Sequence, residues 1–323
     1  MSTPQAPTFQ DVLAARKRIA PYLARTPLYH YPRLSELVGA EVWVKHENHQ
    51  PLGAFKARGG INLISQLSPE EKERGVITAS TGNHGQSIAY AAQLFGVRAI
   101  IGMPNGANPG KVTAIERLGA EVVFYGQDFD DARQRVEQLA EEEGYRYVSS
   151  GDEPHLIAGV GTHTLEVLQE LPDAEVILVP VGGGSGASGA CIAAKAINPA
   201  VQVIGVQAEK APSARLTWEA RERVEAKMET FAEGLATRAP FMLPQSILWE
   251  HLHNFVLVSE EEILRCIVHF LERTHNLAEG AAAASLAGAL QLRDRLAGKK
   301  VVLIMTGGNL SLGNLRRALE LGT

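Results

Sequence analysis

Apolar residues along this chain follow two rhythms. Short, nearly unbroken apolar runs alternate with longer stretches in which apolar positions recur every three or four residues. The first rhythm predicts strands at Glu41–His46, Gly75–Ala79, Arg98–Gly102, Glu121–Tyr125, Arg146–Ser149, Val176–Val181, Val201–Gln207, Phe255–Val258 and Lys300–Met305. The second predicts helices at Gly82–Leu94, Lys111–Leu118, Asp130–Glu143, Gly186–Ile197, Glu260–Arg273 and Ala278–Leu296. An earlier helix is expected from about Thr8 to Ala20, with Thr8 as its N-cap and Pro21 as its stop. Val176–Val181 is apolar at every position, as in a strand covered by helices on both faces. Strands alternating with helices imply an α/β fold built on open parallel sheets.

No linker or repeat divides the chain, so element order has to. Residues 75–149 hold four strands with helices between them and can close as a small sheet of their own. The expected organisation is a small domain of residues 75–149 and a larger one assembled from 1–74 and 150–323. A site belongs in the cleft between them, beyond the carboxyl ends of the strands. A length of 323 residues suits two domains. Charged residues are 21% of the chain and the net charge is −5, which speaks against a nucleic-acid partner. No apolar run is long enough to span a bilayer, and the polar stretch Met1–Gln10 lacks a signal-peptide pattern, so a soluble cytoplasmic protein is expected. Cys191 and Cys266 match no metal or redox spacing and read as buried thiols. His46 and His49 lack a third ligand nearby and read as structural. Small molecules, rather than polymers, are the expected partners.

Four loops that follow predicted strands carry unusual compositions. In His46–Gly60 a Pro/Gly turn leads into a helix opening near Ala54, which places Lys56 in a first helical turn. The helix dipole there disfavours an ammonium, and apolar Ala54, Phe55 and Ala57 do the same. A lysine held neutral near pH 7 can form an imine with an aldehyde. In Ala79–Gln86, hydroxyl residues and Gly82 precede a helix, giving an anion site suited to a carboxylate; a simple cap by Ser80 or Thr81 explains the same residues. Pro180–Gly189 carries Gly182, Gly183 and Gly184 followed by Ser185 and Gly186, a backbone able to wrap a phosphate. Gly184, Gly186 and Gly189, with Glu209 downstream, also fit a dinucleotide fingerprint, which keeps an NAD-dependent oxidoreductase as a remote alternative. After the last strand comes Met305–Ser311, from which Thr306 projects into the cleft.

Taken together, Pro51–Gly59 around Lys56, Ser80–Gly85, Gly182–Gly186 and Thr306–Asn309 resemble the fold type II (β-family, tryptophan synthase β-like) pyridoxal-phosphate enzymes. The order and spacing are similar to the threonine/serine dehydratase and serine racemase branch over essentially the whole chain. The resemblance implies that Lys56 carries pyridoxal 5′-phosphate in the interdomain cleft and serves as the Cα base. It further implies that Phe55 packs beside the ring, that Asn83 bonds the ring hydroxyl, and that Gly182, Gly183, Gly184, Ser185 and Gly186 hold the phosphate. Thr306 would face the ring nitrogen, and Ser80, Thr81, Gly82, Asn83 and His84 would take the substrate carboxylate. The implied reaction is dehydration of a β-hydroxy amino acid such as L-threonine or L-serine to a 2-oxo acid and ammonia. A homodimer is expected by the same analogy.

Several positions depart from the branch. Thr81 stands where racemases place a serine, and its methyl group restricts its rotamers. Glu209 matches the first acidic ligand of the racemase metal site, but Arg215 occupies the position of a second, so no metal is expected. Gly159-Val160-Gly161-Thr162 replaces a common Gly-Gln-Gly-Thr, and Ala232–Arg238 is similar to relatives acting on less common β-hydroxy amino acids, phenylserine and hydroxyectoine-pathway dehydratases among them. Thr81 and Arg215 therefore favour dehydration over racemisation; an amino acid racemase and such a dehydratase stand as alternatives, with a β-replacement synthase and a non-catalytic binding protein behind them. The end at Thr323 leaves no space for a regulatory domain, so feedback through one is not expected. Glu279 opens an alanine-rich helix and is either a family glutamate near the ring or a favourable first-turn acid.

Overall fold

A computed structural model of the chain describes residues 4–322, so the first three positions of the polar Met1–Gln10 stretch, and Thr323, lie outside it. In chain order the strands are β1 (Leu28–His30), β2 (Glu41–His46), β3 (Val76–Ala79), β4 (Ala99–Met103), β5 (Glu121–Phe124), β6 (Arg146–Tyr147), β7 (Val176–Pro180), β8 (Gln202–Ala208), β9 (Asn254–Val258) and β10 (Lys300–Met305). They form a six-stranded sheet, β1-β2-β10-β7-β8-β9, and a four-stranded sheet, β5-β4-β3-β6. Every pairing is parallel except that of β1 with β2. The antiparallel edge strand β1 has no counterpart in the sequence reading, because three residues of pattern Leu-Tyr-His are too short to show a period.

Period two sorts the larger sheet's side chains between two cores. Val176, Leu178, Ile204, Leu303 and Met305 pack against the helices Glu260–Thr274 and Gly280–Gln291. Ile177, Val179, Val203, Val302 and Ile304 face Pro154–Glu170 and Ser185–Ile197. Burying each such side chain contributes on the order of 1.5–3 kcal/mol. The smaller sheet packs Val76, Ile101 and Met103 against the helix Asn83–Phe95 in a core that also contains Ala57, Ile61 and Leu156. Its other face rests on Val136 and Ala140 of the helix Phe129–Glu143.

Element ends agree with local chemistry. The first helix runs Phe9–Ile19, and the Thr8 hydroxyl accepts from the Asp11 N–H while the Asp11 carboxylate takes the Thr8 N–H. The helix expected from Lys111 begins at Pro109, because Asn108 caps it through the Gly110 N–H. The long helix expected over Ala278–Leu296 is two pieces, Gly280–Gln291 and Arg293–Leu296. A larger omission is the 17-residue helix Pro154–Glu170, buried over most of its length. It has no polar face to create a stripe, and its glycines lower helix propensity. Their role is contact: a Cβ on Gly159 would lie 2.8 Å from the Gly59 Cα, and one on Gly161 would lie 3.3 Å from the Gly189 Cα. Three helices thereby touch backbone to backbone.

Candidate active site

The loops leaving β2, β3, β7 and β10 open into one cleft of about 440 Å³. Phe55, Lys56, Ser80, Thr81, Gly82, Asn83, His84, Gly182, Gly183, Gly184, Ser185, Gly186 and Thr306 all line it, so the candidate residues of the sequence reading are brought together. Lys111, Asp128, Glu233 and Glu279 line it too.

The lysine and threonine loops are stitched to each other. The Phe55 N–H donates to the Thr306 carbonyl at 2.9 Å, and the Gly308 N–H donates to the Gly53 carbonyl at 2.9 Å. Gly53 takes φ +64°, a turn that a side chain would strain. Lys56 then starts the helix Lys56–Ile64, as expected, though two residues later than the Ala54 opening. Its amine donates to the Ser185 hydroxyl at 2.9 Å and lies 5.3 Å from the centre of the Phe55 ring. Burial pushes that amine down to about 8.

At the glycine loop, Gly184 caps the helix Ser185–Ile197 with φ +89°, and no side chain bonds the cap. A Cβ on Gly182 would lie 2.0 Å from the Gly234 carbonyl oxygen, and one on Gly186 would lie 3.1 Å from the Phe55 ring. Only bare backbone fits there, in front of a helix N-terminus, which is an anion cradle. Gly189, the last glycine of the dinucleotide fingerprint, serves the contact with Gly161 instead, and Glu209 is not among the residues lining the cleft.

Across the β3 loop, the Ser80 hydroxyl accepts from the N–H groups of Gly82 at 3.1 Å and Gly85 at 2.8 Å, so it shapes the turn. The His84 ring is turned inward to the Thr78 hydroxyl at 2.9 Å; burial and the nearby Lys56 charge push it to about 3, so it is neutral. Asn83 donates to Glu279 at 2.8 Å and accepts from Asn309 at 2.8 Å. Burial raises the Glu279 carboxyl. Thr306 is 4% exposed, and its hydroxyl has no hydrogen-bond partner among the described residues. A buried, unsatisfied hydroxyl is costly and calls for a partner from the cleft.

An amine of lowered pKa, a bare-backbone anion cradle and an unpartnered hydroxyl fit the aldehyde, phosphate and ring nitrogen of pyridoxal 5′-phosphate. Elsewhere, Arg215 donates to the Phe255 carbonyl at 2.8 Å and pairs with Glu219. His46 bonds the Tyr31 hydroxyl at 2.8 Å and His49 bonds Asn276 at 2.7 Å.

Behind the lysine lies a group of charges that no sequence motif announced. Arg58 binds Glu47 at 2.7 and 2.8 Å and Glu166 through two contacts at 2.8 Å; Lys45 binds Glu166 at 2.7 Å. All four side chains are at most 3% exposed. Burial alone would raise the Glu47 carboxyl, but Arg58 overrides it and holds it at about 2.

The sequence profile of the pyridoxal-phosphate dependent enzyme family matches residues 19–307. An L-threonine ammonia-lyase of Thermotoga maritima is 42% identical over 98% of this chain and 79% of its own. The processed form of threonine deaminase isoform 2 from Solanum lycopersicum superposes with a TM-score of 0.92 at 31% identity, over 99% of this chain and 96% of that one. Serine racemase from Dictyostelium discoideum gives 0.89 at 34% identity, over 95% and 99%. The chain belongs to the pyridoxal-phosphate dependent enzymes, in the threonine/serine dehydratase and serine racemase branch, and is a carbon–oxygen lyase of that cofactor class.

Proposed function

We propose that this lyase converts a small β-hydroxy amino acid, L-threonine or L-serine, to the corresponding 2-oxo acid and ammonia. The observation that carries the reading is the meeting of the lowered Lys56 amine and the unpartnered Thr306 hydroxyl in the cleft that contains the glycine cradle. When bound, pyridoxal 5′-phosphate supplies an electron-withdrawing ring that makes the substrate's Cα proton acidic. Lys56 would hold the cofactor, and its amine is the base placed to take that proton; near its pKa of about 8 an amine both accepts and returns protons readily. Gly182 to Gly186 would hold the phosphate, Phe55 would lie beside the ring, and Asn83 would bond the ring hydroxyl. The Ser80–His84 loop takes the α-carboxylate on backbone N–H groups, since the His84 ring is committed to Thr78. Thr81 offers a second hydroxyl to the same cleft. Thr306 would give the ring nitrogen a neutral hydroxyl partner, one that does not hold it protonated as a carboxylate would.

In this reading residues 75–149 act as the carboxylate-binding unit and 1–74 with 150–323 as the cofactor-binding unit. The enzyme works as a cytoplasmic homodimer and without a divalent cation, Arg215 standing where a second acidic ligand belongs. Among the described residues no helix is long and apolar enough to cross a membrane. Dehydration of a less common β-hydroxy amino acid is the second reading; the residues that favour it are in Ala232–Arg238, of which Glu233, Gly234, Ala236 and Thr237 line the cleft. Racemisation, against which Thr81 and Arg215 weigh, stands behind it. The test is a visible spectrum before and after borohydride, mass spectrometry of the Lys56 peptide, and 2-oxo acid release from L-threonine and L-serine. A colourless protein that cannot be loaded with pyridoxal 5′-phosphate overturns the proposal. A loaded enzyme that releases no 2-oxo acid but interconverts enantiomers moves it to the racemase.

A further inference from the structure

Lys111 and Glu233 meet at the carboxylate loop from opposite parts of the chain. Lys111 stands on the helix Pro109–Arg117 and Glu233 on the short turn Glu233–Leu235, and their side chains form an ion pair. A Cβ built on Gly82 would lie 3.4 Å from the Lys111 amine and 3.9 Å from a Glu233 carboxylate oxygen. Gly82 is the N-cap of the helix Asn83–Phe95, so the ammonium sits directly over the backbone that faces the cleft. The Lys111 side chain is 17% exposed, whereas that of Glu233 is 47% exposed.

This arrangement is uneven. An ammonium has three donors, yet Lys111 bonds only Glu233 among the described residues. Burial lowers its pKa, and the nearby Glu279 carboxylate opposes that only in part, while the ion pair with half-exposed Glu233 adds little. Open donors on a desolvated cation beside a cleft are a built receptor for an anion.

Resting on the function proposed above, we infer that Lys111 is a substrate-binding residue whose ammonium takes the α-carboxylate laid on the Ser80–His84 loop, while Glu233 holds the amine in place until the substrate arrives. The anion completes the donor set of Lys111 and can draw it from Glu233, whose exposed carboxylate turns back to water at little cost. The enzyme therefore demands a free α-carboxylate, and amides or esters of its substrate are poorly accepted.

The test uses the holoenzyme and three variants, Lys111→Met, Lys111→Arg and Glu233→Gln. Steady-state kinetics are measured with L-threonine and L-threoninamide, and calorimetric binding with 3-hydroxybutyrate, which keeps the carboxylate and lacks the amine. Lys111→Met should raise KM for the acid and Kd for 3-hydroxybutyrate roughly ten- to hundredfold, as loss of a charge-assisted hydrogen bond implies. The preference for acid over amide should shrink by a similar factor, with the bound cofactor's spectrum unchanged. Lys111→Arg should retain most of the preference, and Glu233→Gln should leave KM equal or lower. If the pair were only a tether across the cleft, Lys111→Met and Glu233→Gln would lose activity alike, and that result overturns the inference. So does an unchanged KM and Kd in Lys111→Met. A wild-type chain that never loads cofactor sinks the function reading alone, because 3-hydroxybutyrate binding by wild type and Lys111→Met still decides the role of Lys111.

Discussion

Lys56 lies half-buried with an apolar ring beside it and a hydroxyl 2.9 Å away, and its amine loses its proton near pH 8 rather than near 10.5. Covalent capture of the cofactor aldehyde needs the neutral amine, whose share rises with pH. Loading of the cofactor-free protein, followed by absorbance, should therefore accelerate from pH 6 and level off above about 8. Lys56→Ala should show no borohydride-fixable cofactor and no turnover; full turnover in that variant defeats the mechanism. Thr306→Val keeps the shape and removes the hydroxyl. Since one hydrogen bond contributes about 0.5–1.5 kcal/mol, cofactor should dissociate a few-fold to tenfold more readily, as equilibrium dialysis would measure. Both residues were legible in the sequence because their loops are locally peculiar: glycine, proline and hydroxyls directly after an apolar strand. Lys111 and Glu233 were not. Their pairing spans 122 residues, and an ion pair at such a distance leaves no period or composition to read.

Among the elements, the same contrast holds. Strands such as β7 and β10 were recognisable because their residues form an apolar run, interrupted in β10 only by Lys300 at its start, a pattern that burial on two faces explains. The helix Pro154–Glu170 went unread because it is buried on nearly every side, so no polar face marks its period, and because it carries glycine where a helix prefers alanine. Glycine there is a packing device. A methyl group on Gly161 would stand 3.0 Å from the Gly189 carbonyl oxygen and 3.1 Å from Val12. Gly161→Ala should lower stability by about 1–3 kcal/mol despite the gain in helix propensity, read as a fall in Tm. No loss of stability would mean the helices have room that the geometry denies. The same helix supplies Glu166 to the buried charges behind Lys56. Its removal in Glu166→Ala strands Lys45 and half of the Arg58 guanidinium, and should cost about 3–5 kcal/mol in denaturant unfolding.

For the molecule as a whole, those charges set the acid limit. Glu47 titrates near 2 in the folded chain against about 4.5 in the unfolded one, so its contribution is present above about 4.5 and lost as pH falls toward about 2. Stability measured by denaturant should decline across that window, and Glu47→Gln should flatten the decline; an unchanged slope would show that other carboxylates govern it. The larger sheet adds a constraint of a different kind. Its central strand β10 is the last made, yet it stands beside β2, among the first, and its loop is what pins Phe55 and Lys56. On a ribosome adding about 5–20 residues per second, β2 waits on the order of ten seconds to a minute for that neighbour. Through that interval the lysine loop lacks the contacts that shape it. A nascent chain can thus hold its small sheet and still be unable to take up its coenzyme. Coenzyme capture has to wait until β10 has been made and has paired with β2.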